Sequence, residues 1–283
     1  MTNHYLELNG VSKTFSGFKL DNISFSLPKG YIMGLVGTNG AGKTTTIQLI
    51  LNMLKMDCGQ IQIFGHDHVK YENVAKQYIG VVFDHVFYVD SWTVKDTERA
   101  ISSFYHNWRH DVFNEMLRRF DLPLEKKVGE LSRGMQMKLM LACAMSHDPK
   151  LLILDEPTSG LDPVSRDELL EMLQEYIQDG ERSVLFSTHI TSDLERIADY
   201  ITFIHQGQIV CSGKMDDFLG RFRLIKGRHK ELTSALQERI IGLRITDMGF
   251  EGLIDIKEAT KYKHLVLDAA SIDDIMIHIG KRK

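Results

Sequence analysis

An apolar run, Tyr31-Ile32-Met33-Gly34-Leu35-Val36, leads directly into Gly37-Thr38-Asn39-Gly40-Ala41-Gly42-Lys43-Thr44, a match to G-x-x-x-x-G-K-[ST]. Thr45 follows, and Ile47, Ile50, Leu51 and Leu54 then recur along one side of a helical pattern. A buried parallel strand, a glycine loop and a helix in this order make a phosphate-binding loop, and they commit the chain to an α/β fold. The glycines let backbone N–H groups from Gly37 to Thr45 turn inward onto phosphates, and the helix N-terminus adds positive potential. In that arrangement Lys43 reaches the β- and γ-phosphates of ATP and the Thr44 hydroxyl ligates Mg²⁺.

A second apolar run, Leu151-Leu152-Ile153-Leu154, ends in Asp155-Glu156-Pro157. A carboxylate at a strand end beside the glycine loop can hold Mg²⁺, which is the role expected of Asp155. Glu156 points to the other side of the chain and can polarise the attacking water as general base. Pro157 stops the ladder there.

With 283 residues, the chain has room for a large domain and a small one. Its 34 basic and 38 acidic residues give a net charge of -4, which offers no support for bulk binding of nucleic acid. No apolar stretch approaches the roughly 18 residues of a membrane span, and no secretory leader is visible. Cys58, Cys143 and Cys211 are widely separated and form no C-x-x-C motif, so a reduced, cytosolic protein is expected.

Further motifs carry a family resemblance. Leu131-Ser132-Arg133-Gly134-Met135 resembles the signature of the ATP-binding-cassette family, Ser159-Gly160-Leu161-Asp162 its D-loop, and Ser187-Thr188-His189 its switch histidine. Phe15 stands where that family places an aromatic that stacks on adenine. Order and spacing agree over about residues 3–213. The resemblance implies an ATPase in which two subunits meet head to tail, a homodimer or a heterodimer with a paralogue. ATP at Lys43 of one would be capped by Ser132 and Gly134 of the other, with His189 on the γ-phosphate and the water. The implied architecture is an α/β P-loop ATPase core with a mixed sheet, a helical subdomain at about 85–150, and a small α+β appendage over 214–283 after a cassette of 1–213.

The acidic Asp84, where the family usually has glutamine, the Leu-Ser-x-Gly-Met signature and the α+β tail look most like bacterial exporters of peptides or antimicrobial compounds. Exporters of bacitracin-type drugs and phenol-soluble modulins are examples. Such a subunit is expected on the inner face of the cell membrane, energising separate integral membrane subunits, with no nucleic acid involved. Asp84 is expected to reach the Mg²⁺ shell through water. The competing reading is a soluble cassette ATPase that remodels a complex in translation or DNA repair. One cassette, no heptads and no C-x-x-C weigh against it.

Elsewhere, Thr93 with Asp96 and Ser271 with Asp274 look like helix N-caps. Helical spacing links Ala100, Ile101, Phe104, Tyr105 and Trp108, and a helix is expected over 231–241. Phe83, Phe87, Tyr88 and Trp92 suggest a loop that docks a partner. His66-Asp67-His68 reads as a solvated turn rather than a metal site, because no further ligands lie near it.

Overall fold

The computed structural model describes residues 4–280. Strands β1 (His4–Phe15) and β2 (Phe18–Pro28) open the chain, followed by β3 (Ile32–Val36) and helix α1 (Lys43–Ile50). Next come β4 (Cys58–Ile63), β5 (His66–Asp67), α2 (Glu72–Lys76) and β6 (Ile79–Val82). Three helices follow, α3 (Val94–Ser102), α4 (His110–Arg119) and α5 (Arg133–Met145). The chain continues through β7 (Leu151–Asp155), α6 (Pro163–Ile177), β8 (Ser183–Thr188), α7 (Thr191–Ile197), β9 (Tyr200–His205) and β10 (Gln208–Lys214). No helix among the described residues is long and apolar enough to cross a membrane.

The central sheet has the order β10-β9-β3-β8-β7-β6. Its β9–β3, β3–β8, β8–β7 and β7–β6 pairs are all parallel. Every residue of β3, β7 and β8 is buried, which explains their unbroken apolar composition: parallel strands are covered on both faces. Parallel alignment also gathers the loops after β3, β6, β7 and β8 at one edge of the sheet, where α/β folds place their ligands. A second sheet, β2-β1-β4-β5, is antiparallel. Its Leu6, Leu8, Leu20, Ile23 and Ile61 share one core with Met33, Leu35, Ile47 and Leu185.

Between β6 and β7 the helices form a bundle around Phe113, which is fully buried. The Thr93–Asp96 capping box is present at the start of α3. That helix nevertheless stops at Ser102, short of the aromatics that match its period. Ser102 and Ser103 turn their hydroxyls back to the carbonyls of Arg99 and Ala100, and Gln77 captures the Phe104 carbonyl and the His106 N–H. Helix α5 lies close on β6, since a Cβ on Gly80 would fall 2.5 Å from the Ala144 carbonyl oxygen.

The chain divides into two compact units, one up to Val210 and one from Cys211. The second contains α8 (Met215–Arg221), β11 (Phe222–Gly227), α9 (Ser234–Gln237), β12 (Ile241–Thr246), β13 (Gly249–Asp255), α10 (Ile256–Ala259), β14 (Val266–Ala269) and α11 (Ile272–Gly280). Its antiparallel sheet runs β12-β13-β11-β14 over a core of Ile225, Leu236, Phe250 and Ile254. The helix expected over 231–241 is only the single turn of α9, because Thr233 caps it late and Ile241 already belongs to β12. Ser271 caps α11 through Asp274 as expected.

His68 departs from the expected solvated turn. It is 4% exposed, with Nδ1 buried and unpartnered, and burial lowers its pKa. His66 is exposed and packs on Tyr71 at 4.5 Å.

Candidate functional site

The glycine loop closes around its own lysine. Gly42 caps α1 at φ 113°, a left-handed conformation that disfavours any side chain, and a Cβ there would lie 2.7 Å from Leu20 Cδ1. At Gly37 a Cβ would fall 2.3 Å from the Ile204 carbonyl oxygen. The Lys43 ammonium donates to the Gly37 carbonyl at 2.9 Å and pairs with Glu156 Oε1 at 3.2 Å. Its side chain is 6% exposed, so this charge acts in a poorly screened setting.

Strand β7 delivers two acids in succession. Asp155 is 1% exposed; its Oδ1 accepts from the Ser187 hydroxyl at 2.5 Å, while Oδ2 is buried without a partner. Burial raises its pKa, against the hydrogen bonds from Ser187 and Thr44, and the like charges of Asp84 and Glu156 raise it further. Glu156 then takes φ 51°, a left-handed conformation that costs a non-glycine residue about 1–2 kcal/mol. Its N–H bonds to the Ser187 carbonyl at 3.0 Å hold it there. The turn swings the Glu156 carboxylate between Lys43 and His189, whose Nδ1 lies 2.6 Å from Oε2.

The orphaned Asp155 Oδ2, the Thr44 hydroxyl and the acidic surroundings fit a hard divalent cation such as Mg²⁺. No group of three or more ligating side chains occurs among the described residues, so a cation here would take the remainder of its shell from phosphate and water.

A cleft of about 600 Å³ opens over these groups, lined by the loop from Asn39 to Thr45 and by Asp84, Glu156 and His189. Phe18, Arg133 and Ser159 line it too, and none of the three was expected there. Phe18 was missed because it stands three residues past the aromatic that the family pattern selects. Phe15 is 39% exposed, outside this lining, with its ring 6.3 Å from Phe18. Gly37, which is buried, and Thr38, which is exposed, lie outside this lining, as does the buried Asp155. Ser132 and Gly134 also lie outside this lining. Ser132 caps α5, accepting from the Met135 N–H at 3.3 Å. Arg133 packs on Gly160, where a Cβ would come within 3.0 Å of its Nε.

The aromatic loop after β6 is only partly a surface. Tyr88 is half-buried, and its hydroxyl lies beside the buried thiol of Cys143 on α5. Burial pushes the Tyr88 pKa well above its usual value and the Cys143 thiol up to about 12. Phe83 packs against the main core. Phe87 and Trp92 remain, at 61% and 37% exposure.

The chain is similar to known proteins in sequence and in fold. The profile of the family described as ABC transporter matches residues 20–159. The ABC transporter ATP-binding protein NatA of Bacillus subtilis is 32% identical over 201 residues, covering 69% of this chain and 81% of NatA. The bacitracin transport ATP-binding protein BcrA of Bacillus licheniformis is 33% identical, covering 72% of this chain and 68% of BcrA. A solved structure of an ATP-binding subunit of an ABC transporter superposes with a TM-score of 0.69 at 28% identity, over 75% of this chain and 91% of its own.

Proposed function

Since the chain belongs to the family of ABC transporter ATP-binding proteins, which hydrolyse ATP, we propose that it drives export of peptides or antimicrobial compounds through separate membrane subunits. The observation that carries the hydrolytic part is the Glu156 carboxylate, held between Lys43 at 3.2 Å and His189 at 2.6 Å beside the glycine loop. The loop N–H groups and Lys43 bind the phosphates of ATP. Glu156 takes a proton from the attacking water, and His189 holds that carboxylate in place while offering its other ring nitrogen to the γ-phosphate. Thr44 and Asp155, with Asp84 through water, would hold Mg²⁺, which neutralises charge on the phosphate oxygens. Phe15 would stack on the adenine.

In the same reading two subunits, identical or paralogous, close head to tail over two nucleotides. Ser132 and Gly134 of one subunit present the N-terminus of α5 to the γ-phosphate bound by the other. The complex sits on the inner face of the membrane. Similarity to BcrA and to a Nod factor export ATP-binding protein of Sinorhizobium fredii, 32% identical over 243 residues, supports export. Phe87 and Trp92 are the exposed aromatics that a membrane subunit would cover.

The test is recovery of tagged Glu156→Gln protein from detergent-solubilised membranes of its native cell with ATP, followed by mass spectrometry. A stoichiometric polytopic partner is expected. A ribosomal or DNA-bound partner instead would replace this reading with that of a soluble remodelling ATPase.

A further inference from the structure

His189 is 45% exposed, so its place against Glu156 cannot come from packing of the ring and must come from the backbone that carries it. That backbone runs into α7, and α7 is held on two sides. Leu194 sits in the notch left by Gly34 on β3, where a Cβ would fall 2.6 Å from Leu194 Cδ2. On the other side is Asp193, in the first turn of α7 and 2% exposed. Arg166 Nε donates to its Oδ1 at 2.5 Å, and Arg166 Nη2 reaches Ser192 Oγ at 3.1 Å.

Arg166 belongs to the first turns of α6. That helix begins at Asp162, whose carboxylate caps the N–H groups of Val164 and Ser165 at 3.0 and 3.1 Å. The loop between Glu156 and Asp162 is itself tight, with Ser159 N–H on the Glu156 carbonyl at 3.0 Å. Two polar contacts therefore close a ring of chain. From Glu156 the path runs through the loop to Arg166, crosses to Asp193, returns along α7 to His189, and meets Glu156 again at 2.6 Å.

We propose that Arg166 is a positioning residue, which through Asp193 sets His189 on the general base Glu156. The inference rests on the hydrolytic role given above to Glu156 and His189. The pair suits this task because its carboxylate is buried while Arg166 is half-buried, so breaking it leaves Asp193 an unpaired buried charge and the tie is stiff. The neighbouring pairs of Arg196 with Asp167 and Glu171 are exposed and contribute little. Lysine cannot replace Arg166 fully, because one ammonium cannot reproduce the planar fork that holds Asp193 and Ser192 together.

The test is a double-mutant cycle on the purified full chain, with ATP turnover corrected for the folded fraction from thermal unfolding. Arg166→Ala is expected to lower kcat about tenfold with KM for ATP changed less than about twofold, since the glycine loop is untouched. Arg166→Lys should fall between it and wild type. Asp193→Asn, which leaves no buried charge and keeps the fold if Arg166→Ala does not, should lower kcat about threefold. In a His189→Ala background neither substitution should lower kcat by more than about twofold. Equal losses in both backgrounds, or losses that vanish after correction for folded fraction, overturn the inference while leaving the roles of Glu156 and His189 standing. Wild-type turnover by His189→Ala alone would instead remove the site reading, and this tie with it.

Discussion

Asp155→Asn should make the protein more stable and nearly inactive. In the folded chain this carboxylate is 1% exposed, Oδ2 has no partner, and Asp84 and Glu156 add like charge. Burial raises its pKa above the ordinary value of 3.8, so the folded state binds the proton more tightly than the unfolded state does. Stability from this group is therefore full below the unfolded value and is lost as pH rises through the folded one. An unsatisfied buried acceptor costs about 1–3 kcal/mol. Asparagine keeps an oxygen for Ser187 but leaves its amide partly unpaired, so a net gain of about 1 kcal/mol is expected at neutral pH. For a chain of this size that is about 2–4 °C in Tm. Thermal unfolding with a chelator, at about pH 7.5 and about pH 5, reads it directly, and the gap should narrow toward acid. ATP turnover should fall at least about a hundredfold. A variant that melts at or below wild type at the higher pH, or a gap that widens toward acid, would refute the reasoning.

Three other outcomes are expected. Tyr88→Phe should lower stability by no more than about 1 kcal/mol, through loss of the hydroxyl beside Cys143, without weakening capture of a membrane partner. Phe87→Ala should do the reverse, and pull-down beside thermal unfolding separates them. His147 is buried, stacks on Tyr105 at 3.8 Å, and has its pKa lowered by burial from 6.5 to about 4. Charging it should cost the wild type up to about 3 kcal/mol as pH falls across that window. His147→Gln should show a shallower slope in denaturant titrations over the same range.

The glycine loop and the acidic strand end were legible because phosphate chemistry demands particular residues at particular spacing. Gly42 must be glycine for its φ, Lys43 must follow it, and β7, one strand removed from β3 in the parallel sheet, ends in an acid at the same sheet edge. Residues whose role depends on what packs beside them were not legible. Tyr88 reads as one of four loop aromatics, and only the fold shows Cys143 beneath its hydroxyl. His68 looks like a polar turn residue until its burial is seen. Tyr105 keeps helical spacing with Ile101, yet its ring serves His147 across a turn that Gln77 and two serines impose. The partnership of Arg166 and Asp193 is likewise silent in sequence, since a charged residue on each of two helices is ordinary until one carboxylate proves buried.

The central claim is that Glu156 is the base for ATP hydrolysis in a cleft whose binding groups lie elsewhere. It is tested most directly by measuring ATP turnover and ATP affinity on the same preparations of wild-type and Glu156→Gln protein with Mg²⁺. Removing a general base should lower kcat by about 10²–10⁴-fold, while ATP affinity stays within a fewfold of wild type or tightens. Turnover that survives the substitution, or affinity that collapses along with it, would contradict the account.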